Sequence, residues 1–430
     1  MNDTTRMHTT KIIFGDNKKP ELVYTDLSEM FPGYEFNAKG IDRDRYISEP
    51  VSGKSIYMGE DPGEGGYVYA EPGEHRNVTL LDIASMHPTS AIELNIFGEY
   101  TQRFKDIVEA RLAIKHKDTE KLKELLNGAF VPYLENENMD ALSSALKIVI
   151  NSVYGYTKAG FDNPFKDPRN VDNIIAKRGA LFMINLKHEV QNRGFTVVHI
   201  KTDSIKIENA TPDIIQFVMD YGKKYGYSFE HEATYEKMCL VNDAVYIAKY
   251  DAHGIRNKGG KHAGEWTATG KQFQVPYVFK TLFSHEPIIF DDLCEMKSVT
   301  TAMYLDMNEG LGEDEHNYTF VGRAGQFCPM LPGSGGGILL REKEKNSYSA
   351  VTGTKGFRWM ESEVVRNLGK EQFIDKSYYK KLADEAIETI SKFSDYESFV
   401  AESVSDYVNA VPFMNAPESA EENKEVEYVK

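Results

Sequence analysis

Two aspartates stand where apolar, strand-like runs give way to serine-containing turns. Asp82 ends Val78-Thr79-Leu80-Leu81 and leads into Ile83-Ala84-Ser85-Met86-His87-Pro88-Thr89. Asp203 follows Val197-Val198-His199-Ile200-Lys201-Thr202 and precedes Ser204-Ile205-Lys206-Ile207. Carboxylates on adjacent strand ends can bridge two divalent cations ~3.5–4 Å apart, the arrangement that two-metal phosphoryl transfer uses. A backbone carbonyl, here that of Ile83, can complete a hard-oxygen shell. Between the aspartates lies Lys147-Ile148-Val149-Ile150-Asn151-Ser152-Val153-Tyr154-Gly155. Lys147 and Asn151 share one helix face, from which both can reach a triphosphate. Tyr154 can offer a flat stacking surface, and Gly155 lets the backbone approach a base. Arg111 and Lys115 repeat the same spacing upstream and can grip a γ-phosphate. Each feature alone has a plainer reading: strand-end caps for the aspartates, a solvated basic helix face for Arg111 and Lys115. Their joint order points to nucleotidyl transfer.

Strands and helices must hold these side chains. The run Asn77–Ile83 reads as a strand ending at Asp82, preceded by Gly- and Pro-rich turns and a hairpin over 61–76. Apolar spacing predicts a helix over 92–126, stopped by Asn127-Gly128. A loop at 129–138 leads to a second helix at 139–153, so the two form a long helical hairpin. A helix over 173–193 ends at Arg193-Gly194. Strands at 195–200 and 204–208 then meet at Thr202-Asp203. Residues 212–226 are expected to be helical and 239–250 to form one strand. Beyond these, 264–295 reads as mainly helical, 317–360 as β-rich with many glycines, and 375–412 as helical. Residues 1–60 carry only weak strand signals, read as an N-terminal extension.

The 430 residues are 41% hydrophobic and 27% charged, within the range of a globular enzyme. That length favours two or three domains. The net charge of −16 speaks against broad affinity for a polyanion but leaves room for a local basic groove. Part of the excess sits in a Glu-rich tail, 416–430, of disorder-like composition. No stretch approaches the ~20 apolar residues of a membrane span, and the first residues lack a signal peptide's apolar run. Cys239, Cys294 and Cys328 are too few and too scattered for a disulfide framework or a zinc site. A reducing cytoplasm is the expected location. The glycines at 333–337 lack the Gly-Lys-Ser/Thr ending of a phosphate loop and read as a flexible turn. Trp266 and Trp359 read as core.

Three ordered motifs resemble those of the family B (polymerase-alpha-like) DNA polymerases, most closely the phage type. Asp82 to Thr89 resembles the family's Asp-x-x-Ser-Leu-Tyr-Pro-Ser; Lys147 to Gly155 matches Lys-x-x-x-Asn-Ser-x-Tyr-Gly; Lys201 to Ser204 resembles Asp-Thr-Asp-Ser. Gly65-Gly66-Tyr67-Val68 is similar to the segment that precedes the first motif, and Arg111 with Lys115 to a basic pair on a fingers helix. The resemblance covers roughly residues 60–250. It implies an α+β fold of right-hand architecture: an antiparallel-sheet palm (61–100 and 150–255), helical-hairpin fingers (101–149) and a mixed α/β thumb or C-terminal region (260–415). It also implies template-directed DNA synthesis with two Mg²⁺ ions, for which Mn²⁺ can substitute. Asp82, Asp203 and the Ile83 carbonyl would be the metal ligands. Ser85 and Met86 would offer backbone N–H groups to the triphosphate, and His87 would stand at the sugar. Arg111, Lys115, Lys147, Asn151 and Tyr154 would line the nucleotide, while Gly155, Thr202, Ser204 and Tyr246 would face primer and template. The expected partners are primer–template DNA and deoxynucleoside triphosphates.

Three departures stand out. His87 replaces a Tyr that blocks the ribose 2′-hydroxyl. Lys201 replaces the first Asp of the third motif. Ala244 occupies a position, two before Tyr246, where the family often has Lys. Only about 60 residues precede the palm signals, too few for a 3′–5′ exonuclease of ordinary domain size. The expectation is therefore the polymerase part of a split enzyme, with a separate exonuclease chain and other replication proteins as partners. The rival reading is a non-catalytic nucleic-acid-binding subunit with a polymerase-like palm. A primer- or RNA-synthesising enzyme would rest on His87 alone.

Overall fold

The computed structural model describes residues 3–15, 20–36, 55–134, 139–252, 262–344 and 347–401. The chain divides into two compact units, Met1–Gln274 and Val275–Lys430. Both are α+β with antiparallel sheets.

In the first unit, seven strands form one sheet in the order β1-β3-β4-β2-β5-β6-β7. They are β1 (Val68–Ala70), β2 (Gly73–Ile83), β3 (Thr196–Lys201), β4 (Ser204–Glu208), β5 (Phe229–Asn242), β6 (Val245–Tyr250) and β7 (Trp266–Thr269). Strand alternation sends neighbouring residues to opposite faces. Leu81, Val197 and Ile205 join the large core with helix Ile174–Asn192 and helix Pro212–Lys223. Leu80 and Val198 join a smaller cluster with Ala233, Tyr235, Met238 and Leu240 on the other face. That second face carries the candidate site.

Helix Thr101–His116 packs on helix Met139–Lys158, burying Phe104, Ile107 and Ile114 from the first and Leu146, Val149, Ile150 and Val153 from the second. The single helix expected over 92–126 is broken twice. Asn95 and Gly98 take positive φ (48° and 54°), and a Cβ on Gly98 would lie 3.1 Å from the Glu21 carbonyl oxygen. Lys117 then turns left-handed, and the Asp118 side chain caps a new helix, Thr119–Glu124, through the Lys121 N–H. Apolar periodicity continues across both breaks, so pattern alone joined them.

Three further expectations are corrected. The strand expected over 239–250 is the hairpin of β5 and β6, turned at Asp243-Ala244, where Ala244 N–H donates to Asn242 Oδ1. Within 264–295, Trp266–Thr269 is a strand beside β6, and only short helices follow, such as Lys271–Gln274 and Pro276–Phe279. An aromatic and two threonines favour the strand. At the N-terminus, Asp3–Phe14 is a helix whose Phe14 packs on Phe97, Tyr100 and Phe165.

The second unit holds a five-stranded sheet, ordered β11-β10-β8-β9-β12. Its strands are β8 (Glu295–Asp306), β9 (Tyr318–Met330), β10 (Ile338–Glu344), β11 (Ser347–Ala350) and β12 (Arg358–Glu361), and helix Lys376–Ser391 follows. Trp359 is fully buried here, while Trp266 of the first unit is half-buried. The glycine segment at 333–337 begins as a turn, with open space at Gly333, and closes against the sheet, where a Cβ on Gly336 would sit 3.2 Å from the Trp359 backbone. The acidic tail, 416–430, lies outside the described residues.

Candidate active site

β2 and β4 pair antiparallel with Asp82 opposite Ser204, and the Ile83 N–H donates to the Asp203 carbonyl at 2.8 Å. The end of one strand thus meets the start of the other, and the two aspartates converge. The Thr202–Asp203 turn is held from behind. Thr202 has φ 58°, and its N–H donates to the Tyr67 carbonyl at 2.9 Å. Gly66 lies so close that a Cβ there would be 2.8 Å from the Thr202 side chain. The Tyr67 hydroxyl in turn binds Glu60, which also takes the buried Lys187 ammonium at 2.6 Å and His188 at 2.7 Å.

The two carboxyls sit under burial and like charge. Burial first, then the Asp203 and Glu232 carboxylates, push Asp82 up to about 7 against the pull of Lys206. Burial, with Glu232 beside it, also raises Asp203. Glu232 reaches this group through a β-bulge: Ala233 opposes Leu80 and His231 opposes Leu81, leaving Glu232 as the extra residue. Among the described residues no three His, Cys, Asp or Glu side chains form a closed metal cage. The two aspartates with the Ile83 carbonyl would offer an open, hard-oxygen donor set. Such a set suits a cation that keeps waters and phosphate oxygens as its other ligands, the habit of Mg²⁺.

The sequence reasoning missed Lys206 and His199. Lys206 is 4% exposed, on the Asp82 face of β4, and its Nζ lies 3.0 Å from His199 Nδ1. Burial pushes the ammonium down to about 8, against the pull of Asp82. Burial and Lys206 push His199 down to about 3, so its ring is neutral. Nδ1 therefore accepts from Lys206, and Nε2–H donates to the Asp243 carbonyl at 3.2 Å. Tyr246 completes the group: Lys206 Nζ sits 5.2 Å from its ring centre. A lysine two residues after Ser204 on a central strand was the available signal.

A second cluster forms around His87. Ser85, at φ 58°, starts helix Met86–Glu93. Met86 is buried against Gly179, where a Cβ would meet its sulfur at 2.5 Å. The His87 ring stacks on Tyr154, with centroids 4.3 Å apart and planes 20° from parallel. Its Nδ1 is buried without a hydrogen-bond partner, and burial lowers its proton affinity. One face of Tyr154 is thus already occupied. The Tyr154 hydroxyl accepts from Asn173 Nδ2 at 3.0 Å, and the same nitrogen donates to the Glu64 carbonyl at 2.8 Å. Asn173 so ties the helix to the segment supporting Thr202. Lys147 and Asn151 lie two turns and one turn before Tyr154, both exposed. Gly155 is half-buried next to it. Arg111 is half-buried with Nε unpartnered, and Lys115 is exposed one turn on. Ser204 is half-buried, its hydroxyl turned back to the Lys201 carbonyl.

No family model matches the sequence, and no curated protein matches it. Among solved structures, the chain is similar to the family B DNA polymerase of the hyperthermophilic archaeon Pyrobaculum calidifontis. The identity is 12% and the TM-score 0.43, over 91% of this chain and 50% of that one. The chain spans about half the length of that polymerase. No helix among the described residues is long and apolar enough to cross a membrane.

Proposed function

We propose that this chain is a template-directed DNA polymerase that adds deoxynucleotides to a primer 3′-hydroxyl. The observation that carries the proposal is the convergence of Asp82 and Asp203, mutually repelling carboxylates at the paired ends of β2 and β4. In this reading the first sheet is the palm, the helices Thr101–His116 and Met139–Lys158 are the fingers, and the second unit is the thumb. Asp82, Asp203 and the Ile83 carbonyl would hold two Mg²⁺ ions, or Mn²⁺ in their place. Bound there, the ions supply activation of the primer hydroxyl and neutralisation of the triphosphate. Lys147, Asn151, Arg111 and Lys115 bind phosphate oxygens, and the backbone N–H groups of Ser85 and Met86 orient them. Gly155, Thr202, Ser204 and Tyr246 face primer and template. Catalysis is positioning and charge stabilisation. A separate exonuclease chain and other replication proteins complete the proposed assembly, to be sought by co-purification from the native source.

Primer extension with Mg²⁺ or Mn²⁺ tests the reading. Wild-type protein extends the primer, while Asp82→Ala and Asp203→Ala fold normally and do not. Near-wild-type extension by either variant would falsify the metal assignment. His87 is the proposed sugar gate, so His87→Ala raises ribonucleotide incorporation relative to wild type. Equal use of both sugars by both proteins removes that role.

A second reading has one observation in its favour. The buried Lys206 ammonium and the nearby Lys201 place positive charge where metals would bind. A non-catalytic DNA-binding subunit would bind primer–template equally well with Asp82 and Asp203 replaced, and would extend nothing under either metal.

A further inference from the structure

We propose that Cys294 and Cys328 form a redox modification site, a cross-strand dithiol that small-molecule disulfides convert to an intramolecular disulfide. Glu295 of β8 pairs with Phe327 of β9, so one residue further along this antiparallel register Cys294 stands opposite Cys328. The two sulfurs are 3.5 Å apart. A disulfide bond needs ~2.05 Å, so bond formation draws the sulfurs about 1.5 Å closer, by rotation about χ1 with adjustment of the strand ends. The thiols are unequal. Cys328 is fully buried under the second core, and Cys294 is half-buried at the strand's start. Cys294 Sγ–H donates to the Phe290 carbonyl at 3.3 Å, which leaves Cys328 S–H to donate to Cys294 Sγ.

This hydrogen bond sets the order of events. A thiolate at Cys294 is favoured by the Cys328 donor and by Arg366, while Cys328 is held protonated by the same contact. Cys294 is therefore the attacking thiol. Its thiolate attacks one sulfur of a small disulfide, forming a mixed disulfide and expelling one small thiolate. Cys328 then loses its proton and attacks Cys294 Sγ, expelling the second. Two protein thiols are oxidised, one small disulfide is reduced to two thiols, and the two protons leave on those thiols. The product ties the turn Phe290–Leu293 to β9. Cys239, fully buried in the first unit and pushed up to about 12 by burial, takes no part.

The test uses the full chain and oxidised glutathione, followed by alkylation, digestion without reductant and mass spectrometry. The expected result is a linked Cys294–Cys328 peptide, two hydrogens lighter than its reduced parts and restored by dithiothreitol, with Cys239 alkylated only after unfolding. Cys328→Ser is expected to trap glutathione on Cys294, and Cys294→Ser to leave Cys328 unmodified. Phenylarsine oxide, a reagent for closely spaced thiol pairs, binds native wild-type protein at one equivalent, a readout that needs no variant. Stable glutathione on wild-type Cys294 without the linked peptide overturns the proposal, as does failure to bind the arsenical.

Discussion

Replacing Asp82 by Asn in the cation-free protein is expected to stabilise the fold while abolishing activity. Asp82 is pushed from the ordinary 3.8 up to about 7, first by burial and then by Asp203 and Glu232. At 1.36 kcal/mol per pH unit, that shift corresponds to ~4 kcal/mol disfavouring the ionised, folded form. The carboxyl is partly open to water, and screening reduces the figure to roughly 2 kcal/mol. The amide keeps the shape and removes the charge. For a chain of this size the gain raises the melting temperature by about 2–4 °C at pH 8 in EDTA. The folded carboxyl titrates above its unfolded value, so between 3.8 and about 7 the folded state holds a proton that the unfolded chain has lost. Wild-type protein without cations therefore gains stability as pH falls through that window, and the variant's advantage shrinks toward its lower end. Adding Mn²⁺ is expected to stabilise wild type, because it binds the folded state, and to leave the Asn variant nearly unchanged. Thermal unfolding followed by circular dichroism reads all three effects. An Asn variant that melts at or below wild type in EDTA at pH 8, or that gains as much from Mn²⁺, refutes the reasoning.

Two further outcomes follow from the site. Lys206→Met removes a cation from beside the carboxylates and is expected to tighten Mn²⁺ binding about tenfold. The change is largest below about pH 8, where Lys206 is charged, and is read by electron paramagnetic resonance titration of free Mn²⁺; unchanged or weaker binding contradicts it. Gly66→Ala forces a methyl to within 2.8 Å of Thr202 and is expected to cost ~1–3 kcal/mol, seen as a lower urea midpoint, together with slower primer extension.

The parts of this site legible in sequence are the locally determined ones. Val78–Leu81 and Val197–Ile200 announce strands, and each aspartate follows its strand directly. Tyr154 follows Lys147 by two helical turns, so their shared face was readable too. What escaped depends on register and on tertiary neighbours. Glu232 joins the carboxylates only because β5 bulges there. Ser204-Ile205-Lys206-Ile207 reads as a strand with a solvated lysine, and only the central place of β4 buries it. Cys294 and Cys328 looked scattered because 34 residues separate them, a distance the β8–β9 register closes. The breaks at Asn95–Gly98 and Lys117 escaped because backbone conformation, not apolar spacing, ends those helices.

The His87–Tyr154 stack also has the properties of a latch. Such ring pairs contribute ~0.5–1.5 kcal/mol beyond their buried area, which holds a closed arrangement over a parted one by roughly two- to tenfold. That bias helps hold helix Met139–Lys158 against the first turn of helix Met86–Glu93. It adds to the burial of Leu146, Val149, Ile150 and Val153 that already seats the helix, so one pair of rings trims where Lys147 and Asn151 stand along a helix the core has already placed.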